Sequence, residues 1–160
     1  MSPAFARLVP GDEARLAHLT MAPGQDRFTA DPVTRLAGLP PDQDGWAILW
    51  EGAVAGFMVI DRGYAAAHDF ARDGEPGLRS VLIDAGLQGR GIGKAAMAAL
   101  PGFMARHYPA ARSLCLTVNA QNLGAKAVYE RAGFADTGSL YLGGRSGPQH
   151  VLRMELARAP

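Results

Sequence analysis

The 160 residues carry sixteen Lys+Arg against fifteen Asp+Glu, a formal charge of +1, and a single cysteine, Cys115. This near balance excludes a bulk field aimed at nucleic acid or an anionic membrane surface, and one cysteine excludes an intrachain disulfide and fits a reducing compartment. No run of about eighteen apolar residues offers a membrane span, and Met1-Ser2-Pro3-Ala4 starts no signal peptide, so the expectation is one cytoplasmic domain over 1–160.

In chain order, residues 5–9 alternate as a first strand that Pro10-Gly11 ends, and Asp12 is placed to cap a short amphipathic helix carrying Leu16 and Leu19. Residues 21–41 are irregular, loop-like territory near a substrate entrance, with Asp31-Pro32 opening a helical turn through Leu36. The runs 46–50 and 54–60 flank Glu51-Gly52 and read as an antiparallel hairpin. A polar loop, 61–77, leads to a third strand at 78–84. A helix is expected from Gly91 to about His107, kinked or split where Pro101-Gly102 interrupts it. Residues 114–118 form a buried strand in which Cys115 is a small hydrophobe rather than a nucleophile. Asn122 caps a helix from Leu123 to Ala132 that Gly133 stops, and strands at 134–142 and 151–156 close the chain. The order is that of a mixed α+β layer, a central sheet with helices packed on it.

The stretch from Val81 to Met97 organises the rest: a β-branched run, a loop holding Gly89, Gly91 and Gly93, and an alanine-rich helix start. Glycines let the backbone take positive φ and approach a ligand, while the new helix presents unpaired N–H groups and its positive dipole end. Such a corner binds phosphate, and Arg90 and Lys94 add charge. A dinucleotide fingerprint requires an acidic residue about twenty positions on, at the end of the next strand. None occurs between Asp84 and Glu130. The phosphate loop of NTPases fails as well, because Lys94 is followed by Ala95.

Gln88-Gly89-Arg90-Gly91-Ile92-Gly93 fits [Q/R]-x-x-G-x-[G/A], and 119–134, from Asn119 to Phe134, fits N-x-x-N-x-x-A-x-x-x-Y-x-x-x-G-F. Together these stretches resemble the paired signature of the GCN5-related N-acetyltransferases (GNAT). The resemblance implies an acyl-CoA N-acyltransferase fold, a mixed sheet of about seven strands flanked by about four helices. It also implies acetyl-CoA as cosubstrate, with direct transfer of the acetyl group to a primary amine in a ternary complex. Backbone N–H groups of Gln88, Gly89, Arg90, Gly91, Ile92, Gly93 and Lys94 would cradle the pyrophosphate, Leu82 and Ile83 would pair with the pantetheine arm, and Asn119 and Asn122 would contact the cofactor. A free strand N–H would polarise the thioester carbonyl.

By the same resemblance Tyr129, which shares a helix face with Asn122 and Ala125, touches the cofactor and is the general acid for the departing thiolate. The sequence names no single base for the amine. Glu75 and Asp84 are the carboxylates put forward, with Glu51, Asp69 and His68 as further candidates and an ordered water chain as the alternative. His18, His107 and His150 are too scattered for a metal site, so no metal is expected.

The segment from Gly133 to Gly138 resembles the bacterial branch that includes diamine and polyamine acetyltransferases. That branch needs acidic residues for a polycation, and here Gly143-Gly144-Arg145 stands after the sixth strand. A neutral or partly acidic small amine fits Arg145 and Arg72 at least as well. Protein N-termini or lysines are the alternative acceptors, and a non-catalytic acyl-CoA-binding regulatory module is the alternative class. Relatives of this kind often dimerise through C-terminal strands, so a homodimer belongs among the implied partners; nucleic acid and membrane do not.

Overall fold

The computed structural model describes residues 2–144 and 146–157. Its strands are β1 (Ala4–Leu8), β2 (Gln43–Trp50), β3 (Ala53–Asp61), β4 (Gly77–Ile83), β5 (Ser113–Asn119), β6 (Ala135–Tyr141) and β7 (Gln149–Glu155). Its helices are α1 (Pro32–Ala37), α2 (Tyr64–Ala67), α3 (Ile92–Ala98), α4 (Leu100–His107) and α5 (Leu123–Arg131). The strands form one mixed sheet in the order β1-β2-β3-β4-β5-β7-β6.

The β2–β3 turn puts both Glu51 (φ 52°) and Gly52 (φ 80°) in the left-handed region, the type I′ geometry whose twist matches the flanking strands. Both strands are covered on two faces, which is why they read as continuous apolar runs rather than alternating ones. On one face Trp46, Ile48, Met58 and Ile60 pack against Met97, Leu100, Phe103 and Met104 of α3 and α4. On the other, Ala47, Phe57 and Val59 pack against Leu16 and against Leu36 of α1.

Two local expectations change, and the expected division of the long helix falls two residues earlier than Pro101. The helix expected after Asp12 is a single 3-10 turn (Glu13–Leu16), because the Asp12 carboxylate turns back to accept from the Val9 N–H at 2.9 Å and leaves the turn uncapped. The long helix divides into α3 and α4 at Ala99, with Pro101 in the first turn of α4, where a missing N–H costs no hydrogen bond. The polar loop after β3 contains α2, whose Tyr64 is 2% exposed and lies flat against Gly77, leaving no room for a Cβ there.

The feature that positions the site is a gap in the sheet. Strands β4 and β5 run parallel and register at Gly77 and Cys115, then diverge toward their C-terminal ends. In β4 the ladder to β3 passes from Arg79 opposite Val59 to Leu82 opposite Phe57, so Ser80 and Val81 together oppose Met58. This bulge holds Ser80 at φ 58°, a left-handed conformation that costs a non-glycine residue about 1–2 kcal/mol.

Candidate active site

The diverging strands open a cleft of about 1280 Å³ that passes between the two faces of the sheet. That exceeds the roughly 300–1,000 Å³ of a site for one drug-sized ligand. Leu78, Arg79, Ser80, Val81 and Ile83 of β4 form one wall, and Thr117, Val118 and Asn119 of β5 the other. Gln88, Gly89, Gly91, Ile92, Gly93 and Lys94 close the end under α3, with Asn122 just before α5 and Gly124, Ala125, Val128 and Tyr129 from it.

The glycine corner divides the work among its residues. Gly89 (φ 84°) and Gly91 (φ 78°, the residue before α3) turn the chain, whereas Gly93 lies inside the helix, where a Cβ would meet Ile83 Cγ1 at 3.4 Å. Gln88 braces the corner, its Nε2 donating to the Ile83 carbonyl at 3.0 Å and to Gln25 Oε1 at 3.3 Å. Leu82 and Arg90 do not line the cleft. The bulge turns the Leu82 side chain to full burial, 1% exposed, and Arg90 points to solvent.

The α5 side is equally ordered. Asn122 Oδ1 accepts from the Ala125 N–H at 3.3 Å, capping the helix, and Asn119 ties its strand end down by accepting from Gln121 N (2.8 Å) and donating to Ser146 O (2.8 Å). Tyr129 packs edge-on to Phe134 at 5.7 Å. Burial alone pushes its hydroxyl pKa up to about 12, so it is fully protonated at neutral pH.

On the opposite face residues 22–30 run across the cleft mouth. Thr20 is fixed to Asp84, Arg27 donates to Gln121 Oε1 at 2.7 Å, and Ser146 Oγ donates to the Arg27 carbonyl at 2.7 Å. Arg35 of α1, Tyr64 and His68 around α2, and Tyr141, Gly143, Gly144 and Gln149 complete this half. Among the described lining residues Asp26 is the one acid, against Arg27, Arg35, Arg79 and Lys94. No described group of three His, Cys, Asp or Glu is placed to hold a metal ion.

Residues 14–134 match the model of the acetyltransferase (GNAT) family. The chain belongs to that family. It is 29% identical over 131 residues to YbbJ of Bacillus subtilis (strain 168), described as an uncharacterized N-acetyltransferase, a match covering 80% of this chain and 82% of the relative. Its fold matches AAC(6')-Ib in complex with parmomycin and acetyl-CoA at TM-score 0.79, 16% identity, 97% of this chain and 94% of that one. A spermidine N-acetyltransferase SpeG chimera from Vibrio cholerae and hSSAT matches at TM-score 0.70 and 13% identity, covering 97% and 96%.

For a GNAT acetyltransferase the base expectations need correction. Glu75 is 3% exposed and lies outside the cleft lining. Burial opposes its charge, but hydrogen bonds from Arg153, Ser113 and the Arg72 N–H outweigh it and hold the carboxyl below the ordinary range. With its oxygens bound to Arg153 at 2.7 and 2.9 Å, it is the anion of a structural ion pair and not a base. Asp84 also lies off the lining: Thr20 donates to Oδ1 from both N and Oγ1 at 2.8 Å, which lowers its pKa and makes it an anchor for the segment crossing the cleft. Glu51 and Asp69 are exposed outside the lining, and Arg72 pairs with Glu155 on the surface at 2.8 Å. Arg145 lies outside the described residues.

Of the base candidates that the sequence put forward, His68 alone lines the cleft. Its Nδ1 lies 3.0 Å from the Tyr64 carbonyl oxygen, which can only accept, so Nδ1 carries the hydrogen and the neutral ring keeps its lone pair at Nε2. The ring stacks on Tyr64 at 4.1 Å and is flanked by Phe70 and Tyr141 at 5.2 and 5.6 Å, which fix its plane. Tyr64 and His68 stand four apart across the single turn of α2, which sets His68 at its C-terminal end against the ring that begins it. Arg35 and Ser80, which also line the cleft, carry no local pattern that marks them in the sequence.

Proposed function

We propose that the protein transfers the acetyl group of acetyl-CoA to a primary amine of a small molecule by direct attack within a ternary complex. The observation that carries the reading is the cleft through the sheet, with the glycine corner and Tyr129 toward α3 and α5 and His68 on the opposite side. Backbone N–H groups of Gln88 to Lys94 receive the pyrophosphate at the start of α3, and Lys94 adds a positive charge. The pantetheine arm extends along the free edge of β4 beside Val81 and Ile83. At the bulge an N–H not used by the sheet hydrogen-bonds the thioester oxygen as negative charge develops.

The amine enters from the α1 and α2 face. As the C–N bond forms, His68 Nε2 takes the proton the nitrogen sheds, and collapse of the tetrahedral adduct breaks the C–S bond. With a pKa of about 12 the Tyr129 hydroxyl is a weaker acid than a thiol near 8.5, so complete donation is uphill by several kcal/mol. Its part is a hydrogen bond to the departing sulfur, whose proton finally comes from the one the amine released. Small acceptors are supported by the neighbour solved with an aminoglycoside and acetyl-CoA and by the spermidine acetyltransferase relative.

The test is thiol release from acetyl-CoA over a panel of small amines. Release with at least one amine, with the acetylated amine identified by mass, is expected; tight acetyl-CoA binding without release for any amine would sink the enzyme reading.

A further inference from the structure

The acceptor half of the cleft holds Arg27, Arg35 and Arg79 against Asp26, and of the two arginines without an ion pair, Arg27 is exposed and Arg35 is half-buried. Arg35 projects from α1, which packs through Leu36 on the sheet face away from α3, α4 and α5, so it is remote from the phosphate corner. Its Nε donates to Ser80 Oγ, on the β4 bulge, at 3.0 Å, and Nη2 donates to Gln43 Oε1. The neighbouring carboxylate, Asp61, is already engaged: Oδ2 accepts from Arg79 at 3.0 Å and from Gln43 Nε2 at 3.3 Å, and Oδ1 accepts from the Gly63 N–H at 2.9 Å. The one neighbouring carboxylate is thus the partner of Arg79 and not of Arg35.

Arg35 itself has no ion pair to a described carboxylate within 4.0 Å, and its Nη1 makes no hydrogen bond to a described residue. It is half-buried and lines the cleft. Burial first and Arg79 second weaken its hold on its proton, while Asp61 only partly offsets them. A guanidinium lifted from water without a counter-ion is costly, and its planar fork matches a carboxylate or a similar oxyanion. The other cations of the cleft serve elsewhere, Lys94 at the corner and Arg27 against Gln121.

We infer that the amine acceptor carries a carboxylate or comparable oxyanion, and that Arg35, held on the Ser80 bulge, receives it. The substrate class is therefore amino acids and related amino-acid-like amines rather than polyamines. The bulge that opens the strand edge to the thioester also seats the group that orients the acceptor, so the two recognition events share one backbone distortion. This deepens the acetyl-transfer reading and rests on it.

Two measurements on the full chain test the inference. In the thiol-release assay, α-amino acids and ω-amino acids from glycine to 5-aminopentanoate are compared with their primary amides and with diamines of matching length. The acids are expected to exceed their amides in kcat/KM by about tenfold or more, the worth of a charge-assisted hydrogen bond. Arg35→Gln should erase most of that ratio while acetyl-CoA affinity stays within about twofold, and Arg35→Lys should keep part of it. Amides or diamines matching the acids, or Arg35→Gln lowering acid and amide alike, would overturn the inference.

The second measurement needs neither turnover nor a variant. Calorimetric binding of the N-acetylated ω-amino acids and of their amides to the wild-type protein with CoA should favour the acids by about tenfold. Equal binding overturns the inference. Acid-selective binding without thiol release sinks the acetyl-transfer reading alone.

Discussion

Glu75→Gln separates a structural carboxylate from a catalytic one. The Glu75 side chain is 1% exposed and Arg153 14%, with 2.7 Å between Oε2 and Nε, and Ser113 Oγ and the Arg72 N–H also donate to the carboxylate. Glutamine keeps the shape but leaves the Arg153 charge without its partner. Breaking a buried pair from one side costs about 3–5 kcal/mol, and the residual exposure of Arg153 places this case near 3. For a domain of this size that lowers Tm by about 6–12 °C. The folded carboxyl has a pKa below the ordinary 4.5, so the pair contributes fully above that value and its contribution is lost as pH falls through the folded pKa. Urea midpoints of wild type and variant, followed by tryptophan fluorescence, should therefore differ widely at pH 7 and converge as the pH drops below 4.5. Turnover at 15 °C, where both are folded, should match. A variant with the wild-type midpoint and lost turnover would refute the structural assignment and restore Glu75 as a base.

Replacing His68 with Gln should lower kcat/KM by about a hundredfold, the lower end for a general base, at unchanged acetyl-CoA affinity; an undiminished rate would leave deprotonation to water. Tyr129→Phe should lower kcat about tenfold or more with cofactor Kd nearly constant in a direct titration, whereas equal loss of both would make Tyr129 a packing residue. Gly91→Ala places a Cβ at φ 78°, costing about 1 kcal/mol of backbone strain at the turn into α3, so acetyl-CoA Kd should rise several-fold while the amine KM changes little.

The two halves of the cleft were unequally legible because their information is stored at different distances along the chain. On the donor side structure is written locally. Gly89 and Gly91 are turns that only glycine adopts freely, Asn122 caps the helix it precedes, and Tyr129 lies two turns along the same helix, so each shows itself within a few neighbours. On the acceptor side the decisive contacts span the chain. Glu75 looked like a free carboxylate because Arg153 is 78 positions away, and Asp84 because Thr20 is 64 away. Arg35 stood inside a foreseen helical turn, yet its contact with Ser80, 45 positions on, exists only once β4 has bulged. Nothing at Ser80 announces that bulge, since serine has no preference for φ 58°; the surrounding sheet imposes it. The single-turn α2 is shorter than the window in which a helical period can be recognised, and His68 at its end read as a loop histidine. It follows that acceptor choice in this chain is a property of pairing between distant elements. A substitution in α1 or at the bulge should therefore redirect specificity while leaving the glycine corner and its cofactor untouched.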